Sequence, residues 1–247
     1  LALGAAVLAN SCTVPYSDVI APTAARGGMF DSYVAIGNSI TAGYQSSGLT
    51  DSTQRRSYAF LLAQSMGTRF AYPSMNNPGC PPLVSNFQTQ ARVAGTGATC
   101  LARSAASQTD ILNNVAVPGA WSLDPNAPGG SANSNTLTTF FLGGKSQVQK
   151  AMEAKPTFVS LWIGNNDLLG PGVSGGGCTT AAVGCATTLA AITSQTQYAA
   201  NIDAITDSLQ MVSPNVKGVL IGVVNVINGG KTDSNQLLGA PDAGGVG

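Results

Sequence analysis

The 247-residue sequence contains no histidine. That removes the side chain most often used as a metal ligand or as a general base near neutral pH. Charge is also scarce, at 9% of residues with 11 basic and 11 acidic side chains cancelling, against about 25% in an average soluble protein. Nothing here could neutralise a run of phosphates, which excludes an electrostatic nucleic-acid binder. No apolar run approaches the roughly 20 residues that span a bilayer as a helix. No C-x-x-C pair accompanies the five cysteines, so a zinc site has no support. The hydrophobic fraction of 44% excludes the highly charged, apolar-poor kind of disorder. Gly, Ser, Thr and Asn carry the polar share instead, and the length suits one large domain or two small ones.

The first residue is Leu1, not Met, and residues 1–9 (L-A-L-G-A-A-V-L-A) are apolar and uncharged. They read as the h-region of a secretory signal whose basic n-region is missing. Residues 1–12 also resemble a lipobox, with Cys12 as the lipidated residue, although Ala9 stands where leucine is usual and Asn10 is atypical. Secretion and lipoprotein attachment through Cys12 both stay open. Residues 13–28 read as a tether, and residues 29–247 as the folded domain. With Cys12 set aside, Cys80, Cys100, Cys178 and Cys185 allow three pairings. The local one, Cys80–Cys100 and Cys178–Cys185, is favoured and points to an oxidising compartment. The end of the sequence, loop-like after an apolar strand, predicts that the natural chain continues.

Apolar runs at residues 33–36, 114–117, 157–163 and 216–224 predict strands, the first and third of them buried on both faces. Helices are expected at 57–66, with Gly67 as its stop, at 146–154, and at 195–212. In the last of these Tyr198, Ile202, Ile205, Leu209 and Val212 recur at helical spacing. Residues 124–135 and 170–188 read as loops. Strands alternating with helices predict a three-layer α/β/α sandwich with a central parallel sheet. In such sheets chemistry gathers beyond the C-terminal strand ends.

Three such ends hold candidates. Ser39 follows the first, at a strand-to-helix turn where N–H groups and the helix dipole favour negative charge. Gly119 follows the second, where a missing side chain lets a backbone N–H approach a ligand. Asn166 follows the third and offers an amide donor. Together they make a nucleophile and three oxyanion donors (Ser39 N–H, Gly119 N–H, Asn166 side chain), the parts of acyl transfer. Each alone has a plainer explanation as a cap or turn residue.

Residues 33–43 (Y-V-A-I-G-N-S-I-T-A-G), 114–120 (N-V-A-V-P-G-A) and 161–168 (L-W-I-G-N-N-D-L) resemble the three leading blocks of the SGNH hydrolases, or GDSL esterases and lipases. The resemblance spans residues 32–224. It implies a flavodoxin-like SGNH sandwich and a serine esterase with Ser39 as nucleophile and Gly119 and Asn166 as oxyanion donors. It implies a small-molecule or lipid ester as substrate and no cofactor. Two departures stand out. Asn38 replaces the aspartate of G-D-S, which keeps shape but loses charge. The family's last block, D-x-x-H, is missing with its histidine. No lysine lies in the three blocks to replace it, and Asp167 reads as a residue that orients its turn. Either the base lies in a C-terminal segment outside this chain, or the protein is a non-catalytic SGNH-like envelope protein that binds glycan or lipid. In either case these residues alone are expected to turn over little substrate.

Residues 143–146 (G-G-K-S) nearly match a phosphate-binding loop, but Thr139 stands where glycine is needed and bulky Phe140-Phe141-Leu142 precede, so nucleotide binding is rejected. The 170–188 insertion directly follows Asn166 and is expected to form a rim or lid over the acyl chain.

Overall fold

A computed structural model describes residues 28–95, 111–127, 136–173 and 192–223. The leader, the tether before Gly28, Cys12, Cys100, Cys178, Cys185 and most of the expected lid lie outside the described residues. Cys80 is fully buried and disulfide-bonded.

Strand β1 (Tyr33–Gly37) is buried at all five positions. Its side chains alternate between two cores. Val34 and Ile36 enter one with Val115, Leu161, Ile205 and Leu209, while Tyr33 and Ala35 enter the other with Ala59 and Ala63. That two-sided burial is what a continuous apolar run encodes in a parallel sheet. The short hairpin strands β2 (Val84–Asn86) and β3 (Ala91–Arg92) pair with each other. Strand β4 (Phe158–Trp162) lies parallel to β1, with Tyr33 opposite Phe158 and Gly37 opposite Trp162. Strand β5 (Lys217–Leu220) continues the parallel sheet beyond β4. On the other side of β1, residues 113–117 run parallel to it through Ala35 N–Asn113 O (2.7 Å), Val115 N–Ala35 O (3.0 Å) and Val117 N–Gly37 O (3.2 Å). The strand expected at 114–117 is thus an extended segment with a single bridge, Ala35 to Asn114.

Parallel neighbours need crossovers, and helices supply them. Helix α1 (Ser39–Ala42) and helix α2 (Asp51–Gln54) are single turns. Helix α3 (Tyr58–Met66) begins at Ser57, whose side chain accepts from Phe60 N, and stops at Gly67 with φ 63°, as the sequence predicts. It covers the Tyr33–Ala35 face. Helix α4 (Thr136–Leu142) leads into helix α5 (Gln147–Glu153). Helix α6 (Asn165–Val173) follows β4, and helix α7 (Gln195–Val212) precedes β5. Helices α5 and α7 cover the Val34–Ile36 face, so the α/β/α sandwich stands.

The rejected phosphate-loop match takes an ordinary local form, and three differences from the sequence reading stand beside it. Residues 143–146 are a helix–helix turn, with Gly143 and Gly144 at φ 65° and 83°. There Ser146 forms a reciprocal capping box with Gln149 and opens α5. Helix α6 runs past residue 170, and Gly170 within it packs against Trp121, where a Cβ would lie 2.8 Å from the ring. Val212, the last residue of α7, is 38% exposed although it continues the apolar stripe. Strand β5 is shorter than the expected 216–224 and exposed at all four positions, being the edge strand of the described sheet.

Candidate active site

The residue that ends strand β1 is a glycine because no side chain fits there. A Cβ there would sit 2.3 Å from Thr41 Oγ1 and 2.5 Å from the Trp162 carbonyl oxygen. Gly37 N donates not to a strand but to Gln147 Oε1 of α5, at 3.0 Å. The next residue, Asn38, is 1% exposed, and its side-chain oxygen accepts from Ile40 N at 3.1 Å. Asn38 therefore caps α1, and Ser39 occupies the first helical position, where backbone N–H groups lack intrahelical acceptors. With a single turn behind them, those N–H groups count for more than any summed dipole. Ser39 is half-buried, and its hydroxyl makes no hydrogen bond to another described residue. The turn is held from below by Asn114 Nδ2 donating to Thr41 O (2.9 Å). Thr41 Oγ1 also meets Tyr58 OH (3.2 Å), and Tyr33 OH meets Ser160 Oγ (2.7 Å) on the same face.

Beyond residues 113–117, Pro118 and Gly119 form a turn closed by Ala120 N donating to Val117 O (3.1 Å). Gly119 is exposed and has φ 85°, a left-handed conformation that favours glycine. Beyond β4, Gly164 has φ 103°, and a Cβ on it would lie 2.4 Å from the Tyr198 ring. Asn166, its second residue, donates from Nδ2 to Ala120 O at 2.8 Å.

Asp167 is 3% exposed. Its carboxylate accepts from Ser122 N (2.8 Å) and Ser122 Oγ (2.5 Å). Ser122 Oγ accepts from Asn201 Nδ2 (2.9 Å), and Asn201 Oδ1 accepts from Gln197 Nε2 (2.9 Å). Tyr198 OH donates to Ile163 O at 3.1 Å. Burial pushes the Tyr198 phenol above its ordinary pKa, and the nearby charge of Asp167 adds to this.

The register sets the three turns side by side. Gly37 lies opposite Trp162, and its carbonyl accepts from Val117 N, so the chain leaves three neighbouring strands at one level of the sheet. The Asn166 side chain reaches the residue next to Gly119, and Ser39 stands at the end of the strand between them. No lysine enters these turns among the described residues. Lys145 and Lys150 both donate to Glu153 at 2.6 Å, and Lys217 lies on the edge strand. Sequence reasoning passed over Ser122, Gln147 and Asn201. Only Asn201 carried a signal, as an amide next to the apolar stripe of α7. A family model described as GDSL-like lipase/acylhydrolase matches residues 33–233. No curated protein and no solved structure matches the chain.

Proposed function

The chain belongs to the GDSL-like lipase/acylhydrolase family over residues 33–233, a family of ester-type hydrolases, and we propose that it acts on carboxylic esters with Ser39 as its nucleophile. Ser39 Oγ attacks the acyl carbonyl carbon. The resulting oxyanion is held by Ser39 N–H, Gly119 N–H and the Asn166 side chain. Its collapse breaks the ester C–O bond, the alcohol leaves with the proton taken from Ser39, and water then hydrolyses the acyl-enzyme to the free acid and returns the Ser39 hydroxyl. The main support is the Asn166 Nδ2–Ala120 O bond of 2.8 Å. It ties the second turn to the third across the strand that carries Ser39. An amide nitrogen carries two hydrogens, so one remains for an oxyanion.

The Ser39 proton needs an acceptor, and the sequence has no histidine. In this reading the base is a histidine supplied from outside these 247 residues, and these residues alone turn over little substrate. The substrate is a small-molecule or lipid acyl ester. Exposed Ile40 and Leu169 beside the turns suit an acyl chain better than a charged group. A disulfide at Cys80 favours an oxidising compartment, hence secretion or the cell envelope, with Cys12 a lipid-attachment candidate. The lack of histidine also favours a second reading, a non-catalytic envelope protein that binds glycan or lipid.

A fluorophosphonate probe and p-nitrophenyl acetate separate these. The expected result is slow phosphonylation confined to Ser39, lost in Ser39→Ala, with ester turnover near background. Ordinary esterase rates that depend on Ser39 overturn the outside base. A folded chain that is never labelled at Ser39 overturns the nucleophile and leaves the binding reading.

A further inference from the structure

A series of buried polar side chains ends on Asp167, in the first turn of α6. Asp167, Ser122 and Asn201 are 3%, 1% and 7% exposed, respectively. Burying a carboxylate is costly unless its oxygens are satisfied, and here one residue, Ser122, supplies a donor to each. Once the Ser122 hydroxyl hydrogen is committed to Asp167 Oδ1 at 2.5 Å, its oxygen can only accept. Asn201 Nδ2 donates to it at 2.9 Å, and Gln197 Nε2 donates to Asn201 Oδ1 at 2.9 Å. Every donor in the series therefore points the same way, toward the carboxylate, and such aligned bonds strengthen one another. Asn201 lies on α7 beside Ile202 and Ile205, where packing alone would favour an aliphatic side chain.

From this we infer that Asn201 and Ser122 are positioning residues that act through Asp167 on the two oxyanion donors of the neighbouring turns. The inference rests on the ester-hydrolase reading above. Asp167 follows Asn166 directly, and Ser122 lies three residues beyond Gly119. Segment 119–122 is thereby fastened to α6 twice, by Ala120 O to Asn166 and by Ser122 to Asp167. Two fastenings fix its angle as well as its distance. Oxyanion donors must converge on one point within about 3 Å, and a misplacement of about 1 Å costs on the order of a hundredfold.

The test is saturation phosphonylation of the full chain, which separates the maximal rate from the half-saturating probe concentration. Asn201→Leu keeps the branched heavy-atom outline and extends the apolar stripe but removes the donor. It is expected to lower the maximal rate about tenfold and leave half-saturation unchanged. Ser122→Ala should do at least as much, and adding Asn201→Leu to it should cost no more. Ser122→Thr, which keeps the hydroxyl, should restore the rate. A folded Asn201→Leu protein within twofold of the unaltered rate overturns the inference, as does full additivity of the two changes. If Ser122→Ala does not fold, Asn201→Leu carries the test alone. Unaltered chain against Ser39→Ala judges the hydrolase reading separately. If neither is labelled, amide hydrogen exchange decides: faster exchange at residues 119–122 in Asn201→Leu supports the fastening, and unchanged exchange overturns it.

Discussion

Gly37 and Gly164 show how single residues shape the site. At Gly37 the obstacle includes the backbone oxygen of Trp162, which would lie 2.5 Å from an added Cβ and cannot rotate away as the Thr41 side chain could. Gly37→Ala is therefore expected to destabilise by about 1–3 kcal/mol, read from the denaturant midpoint at constant slope. Gly164→Ala adds backbone strain at φ 103° to a clash with the Tyr198 ring, so it should cost more than Gly37→Ala in the same measurement. Asn38 caps α1 through its side-chain oxygen. Asn38→Ala should cost about 0.5–2 kcal/mol and slow Ser39 phosphonylation, because the first turn of α1 loses its side-chain acceptor at Ile40 N.

At the scale of elements, α5 and α7 do different work on the same face of the sheet. From α5, Gln147 accepts from Gly37 N at the end of strand β1, while its own buried Nε2 has no partner among the described residues. Gln147→Leu removes that unsatisfied donor but orphans the Gly37 N–H. A net loss of about 1–2 kcal/mol is expected. From α7, Ile205 is fully buried, and Ile205→Ala should cost about 2–5 kcal/mol through the cavity it leaves. Val212, at the exposed end of the same stripe, should tolerate alanine within about 0.5 kcal/mol. Comparing the two in thermal unfolding checks that burial, not place in the stripe, sets the cost.

Across the whole molecule, formal neutrality leaves pH dependence to a few local groups. Partial burial raises the Asp51 pKa, but hydrogen bonds from Arg55, Tyr72 and Ser74 (2.7, 2.8 and 2.8 Å) outweigh it and hold the carboxyl below its ordinary value. Burial likewise works against Glu153, and Lys145 and Lys150 overcome it. A carboxyl whose pKa is lower folded than unfolded contributes stability above the unfolded value and loses it as pH falls through the folded one. The melting temperature should therefore drop below about pH 4, and Asp51→Asn should flatten that drop. Tyr33, Tyr58 and Tyr72 are shifted the opposite way, chiefly by burial. Their contribution is complete below about pH 10, the unfolded phenol value, and fades as pH rises through the folded ones. An alkaline melting series that stays flat well above pH 10 counts against this.

What the sequence determined by itself is what near neighbours encode. The apolar run of β1, the serine and glycine that bound α3, and the spacing along α7 are each set within about one or two turns of chain. The same locality made Ser39, Gly119 and Asn166 legible as candidates, because each follows an apolar run directly. Tertiary structure alone decided which ends lie together and what braces them. The β2–β3 hairpin, the exposure of β5, and the ties from Ser122 to Asp167 and to Asn201, 45 and 79 residues apart in sequence, leave no periodic trace. Their energies come from groups that meet only after the strands have paired, and a serine or asparagine in the sequence looks the same whether it will face water or a buried carboxylate.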